Sequence, residues 1–150
     1  MTSTKQINLS AILKEKNVIV KESFKNIKEL INFSLLPIYS DISDELVKKM
    51  IEDKKELLYM TSIFDNGLII PHVKIETINE FYASLVVVKK PVFNDDNTKI
   101  LICFTLISPL NKKFFEKHLE ILSKVASVFK NPEEFLSLQP SEIYLKIKQR

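Results

Sequence analysis

The apolar positions of this chain change period twice. A short β-branched run, Val18 to Val20, precedes "SFKNIKELINFSLL", where Ile27, Leu30, Ile31 and Leu35 recur at helical spacing. Pro37 closes that pattern, because proline interrupts a helical ladder. A second helix is expected from Ser43 as N-cap, with Asp44 and Glu45 in the first turn, where the helix dipole favours acids. Its apolar stripe is Leu46, Val47, Met50 and Ile51, running toward Leu57. The period then shortens: "LIIPHV", "FYASLVVV" and "KILICFTLIS" are β-branched, partly alternating and separated by turn-prone "FDNG" and "FNDDNTK". They read as three strands, the last two largely buried and joined by a hairpin at "DDNT". Helical spacing returns in "NKKFFEKHLEILSKVASVFKN", capped by Asn111, closed by Asn131 and Pro132, and striped by Phe115, Leu119, Leu122, Ala126 and Phe129. A last helical stretch after Ser141 carries Ile143, Leu145 and Ile147. Helices before and after a central sheet predict a layered α/β domain. With 150 residues and neither a repeat nor a low-complexity linker, one domain spans 1–150.

Composition removes several chemistries. A single glycine cannot build a Walker-type phosphate loop or a dinucleotide fingerprint, both of which need repeated glycines for close backbone approach. One cysteine and two histidines are too few for a Cys/His zinc site, and a metal site on the histidines alone lacks further ligands. No cofactor or metal is therefore expected. The net charge is +3, but its 22 basic and 19 acidic residues are interspersed, as on solvated helix faces, so nucleic acid is not an expected partner. Apolar runs such as "ILICFTLI" fall far short of a membrane span, which needs roughly 18 residues. The opening "MTSTKQINLSAILKEKN" carries no secretory h-region, so the expected location is the cytoplasm, without membrane insertion. Cys103 lies within an apolar run and reads as a small core residue.

The scarce residues converge in "NGLIIPHVK". Gly67 stands where the chain turns out of "FDN", and a turn glycine with positive φ explains it whatever the function. Pro71 fixes its own φ and holds Ile70 extended, so "LII" is expected to end as a strand there, with His72 where the chain leaves the sheet. His118 borders the apolar stripe of the strongest helix. Each histidine alone reads more readily as a structural residue than as a catalytic one. As a pair at one sheet edge they suit phosphoryl transfer: one imidazole attacks phosphorus while the other donates a hydrogen bond to the equatorial oxygens. That chemistry requires no glycine loop, metal or cysteine.

"TSIFDNGLIIPHVK", "LVVVKKPVF", "DDNTKILICFTLISP" and "HLEILSKVASVFKNPEEFLSLQ" together resemble the enzyme IIA domain of the bacterial phosphotransferase system, of the fructose/mannitol and nitrogen-regulatory class. That family carries a Gly-aliphatic-Ala-aliphatic-Pro-His motif at its phosphorylated histidine and a second histidine in an "HL..L" helix. The spacing of His72 and His118 agrees with its pattern, and "LSAILKEKNVIVKESFKNIKELI" fits its opening strand and helix. The resemblance implies a mixed, about five-stranded sheet flanked by helices on both faces. It implies that His72 is the phosphoacceptor, loaded by the phosphocarrier protein HPr, and that His118 stabilises the phosphoryl group. The acceptor is then an enzyme IIB or permease component on a separate chain, or the phosphorylation state informs a regulatory protein.

Two positions depart from the family. Its usual arginine near the start of the motif region is missing from "KKELLYM": by direct spacing Glu56 takes the place, and by a one-residue slip Lys55 does, beside Lys54. Lysine keeps the charge but loses the planar fork that positions phosphate. The motif alanine is Ile69. Thr61 and Ser62 match the family's upstream hydroxyl pair, and with Lys55, Glu56 and Gly67 they complete the supporting positions. The alternative reading is a non-catalytic regulatory binding protein on the same fold, with weakened phosphotransfer; retention of both histidines argues against it.

Overall fold

Two long strands carry most of the sheet because their sequences are apolar on both faces. β4 (Tyr82–Phe93) and β5 (Lys99–Pro109) form an antiparallel hairpin, as expected from "DDNT". Asn97 takes a positive φ in the connecting turn, which closes by Asn94 N–H to the Thr98 carbonyl. β1 (Val18–Lys21) lies parallel to β4, and β2 (Leu68–Ile69) and β3 (His72–Ile75) both lie parallel to β5 along its other side. The result is the mixed five-stranded sheet that the resemblance implies. It is that of a computed structural model, which describes residues 7–150; residues 1–6, on which the reading of the N-terminus partly rests, lie outside them.

Strand alternation divides the core into two layers. Phe81, Ala83, Leu85 and Val87 on one side, with Phe104 and Leu106, pack beneath α4 (Phe115–Val128) and α5 (Pro140–Lys148). Val86, Val88, Cys103 and Ile107 face α1 (Ile27–Asp41) and α2 (Glu45–Asp53), with the short α3 (Lys55–Tyr59) beside β3. Cys103 is fully buried in this second layer. Burial pushes its thiol up to about 12, against a smaller lowering by the Thr105 and Ser34 hydroxyls, so it is an inert core residue. Among the described residues no helix is long and apolar enough to cross a membrane.

Several element boundaries differ from expectation, each for a packing reason. Pro37 does not end α1; the helix runs on to Asp41. Proline removes one bond of the ladder and crowds the preceding turn. In that turn the Ser34 carbonyl accepts from Ser84 Oγ of β4 at 2.6 Å, and Ile38, directly after the proline, is fully buried. Tertiary contacts thus carry the helix past its sequence stop. The cap of α2 is Asp44, not Ser43, because the Asp44 carboxylate accepts from the Leu46 N–H. Val47 and Ile51 face the core, Met50 is half-buried, and Leu46 and Leu57 are exposed. α5 starts at Pro140, with the Glu142 side chain accepting from the Gln139 N–H. It buries Ile143 and Ile147 but leaves Leu145 outside.

The largest difference is the rotation of α4. The row that faces the sheet is His118, Ile121, Val125 and Val128, one residue behind the predicted stripe, of which only Phe129 is fully buried and Leu122 packs at the margin of the core. Phe115 and Leu119 are 51% and 50% exposed. Both rows have helical spacing, and one residue turns the helix by about 100°. Periodicity alone cannot choose between two adjacent apolar rows. The choice places His118 in the sheet-facing row and leaves two large apolar side chains flanking it.

Candidate functional site

The path from Asn66 to His72 is built by local backbone constraints. Gly67 has φ +97°, in the left-handed region that the sequence reading assigned to it. Its carbonyl accepts from the N–H groups of Leu101 and Ile102, which fixes the entry into β2. A Cβ at Gly67 would sit 3.3 Å from the Lys99 carbonyl oxygen. Gly67→Ala is therefore expected to lower stability by about 2 kcal/mol through backbone strain; an unchanged urea midpoint would refute this. Asn66 ties the same turn to α4: its side-chain amide donates to the Phe129 and Lys130 carbonyls at the helix end.

Proline at 71 interrupts the edge strand, but His72 does not leave the sheet as expected. It opens β3, opposite Leu106 of β5. The Pro71 carbonyl accepts from the Leu106 N–H, so the pairing to β5 resumes directly after the break. The exposed His72 ring folds back so that Nδ1 lies 2.6 Å from the Ile70 carbonyl oxygen. A carbonyl only accepts, so Nδ1 bears a proton, and the neutral ring carries its lone pair on Nε2, which has no hydrogen-bond partner among the described residues.

His118 comes to this edge from α4. Its ring centroid is 5.5 Å from that of His72, with the planes inclined at 56°. The structure therefore brings together the two histidines that the sequence reading paired. They differ in environment: His118 is only 3% exposed, and its Nδ1 lies 2.7 Å from Ser108 Oγ of β5. Burial, aided by the nearby Lys74 ammonium, lowers His118 to about 4, so the ring is neutral at pH 7.

That lowering predicts a pH dependence of folding. The unfolded chain, in which histidine titrates near 6.5, binds more protons than the native chain between pH 6.5 and 4. Stability from a neutral His118 is thus complete above 6.5 and falls as the pH drops toward 4, by about 3 kcal/mol. Urea midpoints at pH 7, 6 and 5 should decline in step, and the decline should flatten in a His118→Ala variant. A midpoint independent of pH across this range would contradict it.

Lys74 is the charged neighbour that sequence reasoning missed. Val73 and Ile75 are buried on the α1 side of β3, which turns His72 and Lys74 together toward α4. The Lys74 ammonium sits 4.0 Å from the centroid of the Phe115 ring. The period-two rule applied to "HVK" contains this signal.

The other predicted positions spread apart. Lys55 is ion-paired with Glu52 at 2.9 Å, and Glu56 is exposed. It is Lys54 that reaches the histidine strand, donating to the Lys74 carbonyl at 3.3 Å. Thr61 lines a cleft with Tyr59, Phe93 and Asp95, at the hairpin end of the sheet and away from the level of His72. Its hydroxyl donates to the carbonyl of Ser62, which is itself exposed. Gly67 acts on the path to His72 and not at its ring. Among the described residues no cluster of His, Cys, Asp and Glu side chains is arranged to hold a metal ion.

A family model described as phosphoenolpyruvate-dependent sugar phosphotransferase system, EIIA 2, matches residues 11–149. Among solved structures, the nitrogen regulatory protein IIA-Ntr from Neisseria meningitidis is similar at 20% identity and a TM-score of 0.72, covering 93% of this chain and 98% of that one. The mannitol-specific cryptic phosphotransferase enzyme IIA CmtB from Escherichia coli is similar at 19% identity and a TM-score of 0.66, over 96% of this chain and 100% of that one. A complex of enzyme IIAMTL and phosphorylated enzyme IIBMTL, also from Escherichia coli, contains a chain similar at 11% identity and a TM-score of 0.64, over 93% of this chain and all of that one. No curated protein sequence matches significantly.

Proposed function

This chain belongs to the EIIA 2 family of the phosphoenolpyruvate-dependent sugar phosphotransferase system, and on that premise we propose that it is a phosphocarrier using a phosphohistidine at His72. The observation that carries the reading is the pairing of an exposed His72, its Nε2 free and its Nδ1 held, with a buried neutral His118 at a 5.5 Å ring separation. The Nε2 lone pair of His72 attacks the phosphorus of a phosphohistidine donor, HPr. A new N–P bond forms, the donor's N–P bond breaks, and the donor imidazole leaves with that electron pair. His118 donates a hydrogen bond to the equatorial oxygens, and the Lys74 ammonium supplies positive charge beside them. The second transfer reverses these roles, with an acceptor nucleophile attacking the phosphoryl group on His72.

The acceptor is an enzyme IIB component, or the phosphorylated state is read by a regulatory partner; both place the chain in the cytoplasm. Phe115 and Leu119 give such partners an apolar contact beside the histidines. The family's missing arginine leaves a lysine to supply charge, and Lys74, on the histidine strand itself, is better placed than Lys55, which is already paired. A non-catalytic binder on this fold would have no reason to keep His72 Nε2 unencumbered.

The test is incubation with phosphoenolpyruvate, enzyme I and HPr, followed by intact mass. One acid-labile phosphoryl group should appear on the chain. If none appears while HPr itself is phosphorylated, the carrier reading falls.

A further inference from the structure

We infer that Ser108 is a positioning residue that holds His118 in the Nε2–H tautomer, so that this ring presents a proton and not a lone pair beside His72. Its consequence for transfer rests on the phosphocarrier reading; the tautomer itself does not.

Ser108 belongs to the row of β5 that alternates toward α4, in series with Phe104 and Leu106. The row is apolar apart from this one hydroxyl, and Ser108 is fully buried. Among the described residues its Oγ has a single hydrogen-bond partner, His118 Nδ1 at 2.7 Å. Two arrangements are open to that pair. In one, Nδ1–H donates to Oγ, and the hydroxyl proton is left without an acceptor inside the protein. In the other, the hydroxyl donates to an unprotonated Nδ1, and the ring proton lies on Nε2, which is not among the fully buried polar atoms left without a partner and so can give that proton to water. A buried donor left unmade costs about 1–3 kcal/mol, whereas an oxygen with an unused lone pair costs less. A factor of ten corresponds to about 1.4 kcal/mol, so the second arrangement dominates by roughly tenfold or more.

The two histidines then become complementary. The Ile70 carbonyl forces the proton of His72 onto Nδ1 and leaves its Nε2 as nucleophile. Ser108 does the opposite for His118 and leaves its Nε2 as donor. Register supports the placement, since Ser108 pairs with Lys74 and Leu106 with His72 across β3 and β5. One strand pair thus sets His72, the cation and the hydroxyl that orients the second ring.

Long-range proton–nitrogen correlation spectra of the wild-type chain at pH 7 should show His118 with Nδ1 unprotonated and Nε2 protonated. A proton on Nδ1 overturns the inference without any variant. Ser108→Ala should mix the His118 tautomers and slow phosphoryl uptake from HPr about tenfold, and Ser108→Thr, which restores the hydroxyl, should recover both. An Ala variant with unchanged tautomer and rate also overturns it. If the wild type shows the Nε2–H form but takes no phosphoryl group from phosphorylated HPr, the carrier reading fails while the positioning role of Ser108 stands.

Discussion

His72→Ala is expected to abolish phosphoryl uptake completely while leaving the fold intact. The ring is exposed, and its one hydrogen bond is to a carbonyl two residues earlier. Removing it leaves no cavity and no orphaned donor in the core, so stability should change by less than about 0.5 kcal/mol. The loss of function should nonetheless be total. His118 is the only other imidazole in the chain, it is buried, and its Nδ1 is held by Ser108. In the mass experiment the variant should show no added phosphoryl group after times at which the wild type is fully loaded, with phosphorylated HPr as internal control. An acid-labile phosphoryl group on the variant would place the nucleophile elsewhere.

The second large effect is expected at His118. His118→Ala removes the hydrogen-bond donor to the phosphoryl oxygens and strands the Ser108 hydroxyl. Loss of one preorganised donor to a developing charge typically costs 10²–10³ in rate, so transfer to His72 should slow by about that factor and still reach completion. The same substitution empties a buried position on α4, where large-to-small changes cost about 2–5 kcal/mol. The rate must therefore be read at a temperature where a circular dichroism melt shows the variant folded. Uptake by the folded variant at the wild-type rate would make His118 a core residue and nothing more. A slow but complete reaction would separate the two histidines by role, as their environments suggest.

The contrast between these two sites also shows how much was legible beforehand. Gly67 was readable because positive φ is a steric property of one residue, and the turn it serves is local. The strands around "LIIPHV", "FYASLVVV" and "KILICFTLIS" were readable because β-branched alternation and turn residues act over a few positions. The pairing of His72 with His118 was legible through chemistry and family resemblance together. Lys74 was readable and overlooked. Pro37 was misread because the contact between Ser84 and the Ser34 carbonyl, which helps α1 to continue, comes from a strand far away in the chain.

What the sequence by itself determined was therefore the main elements, their order, and which scarce residues stood near their ends, but not the break of the second helix at Lys54 or the division of "LIIPHV" into β2 and β3. Those follow from backbone sterics and side-chain periodicity, which act over a turn or a strand. The tertiary structure alone decided which of two apolar rows of α4 faces the sheet, and hence that His118 is buried while Phe115 and Leu119 stay outside. It also decided that Lys54, not Lys55, reaches β3, and that a serine on β5 meets the second histidine. Each of these depends on the rotation and register of elements distant in sequence. Their energies come from burial and hydrogen bonding between elements, which no local pattern encodes.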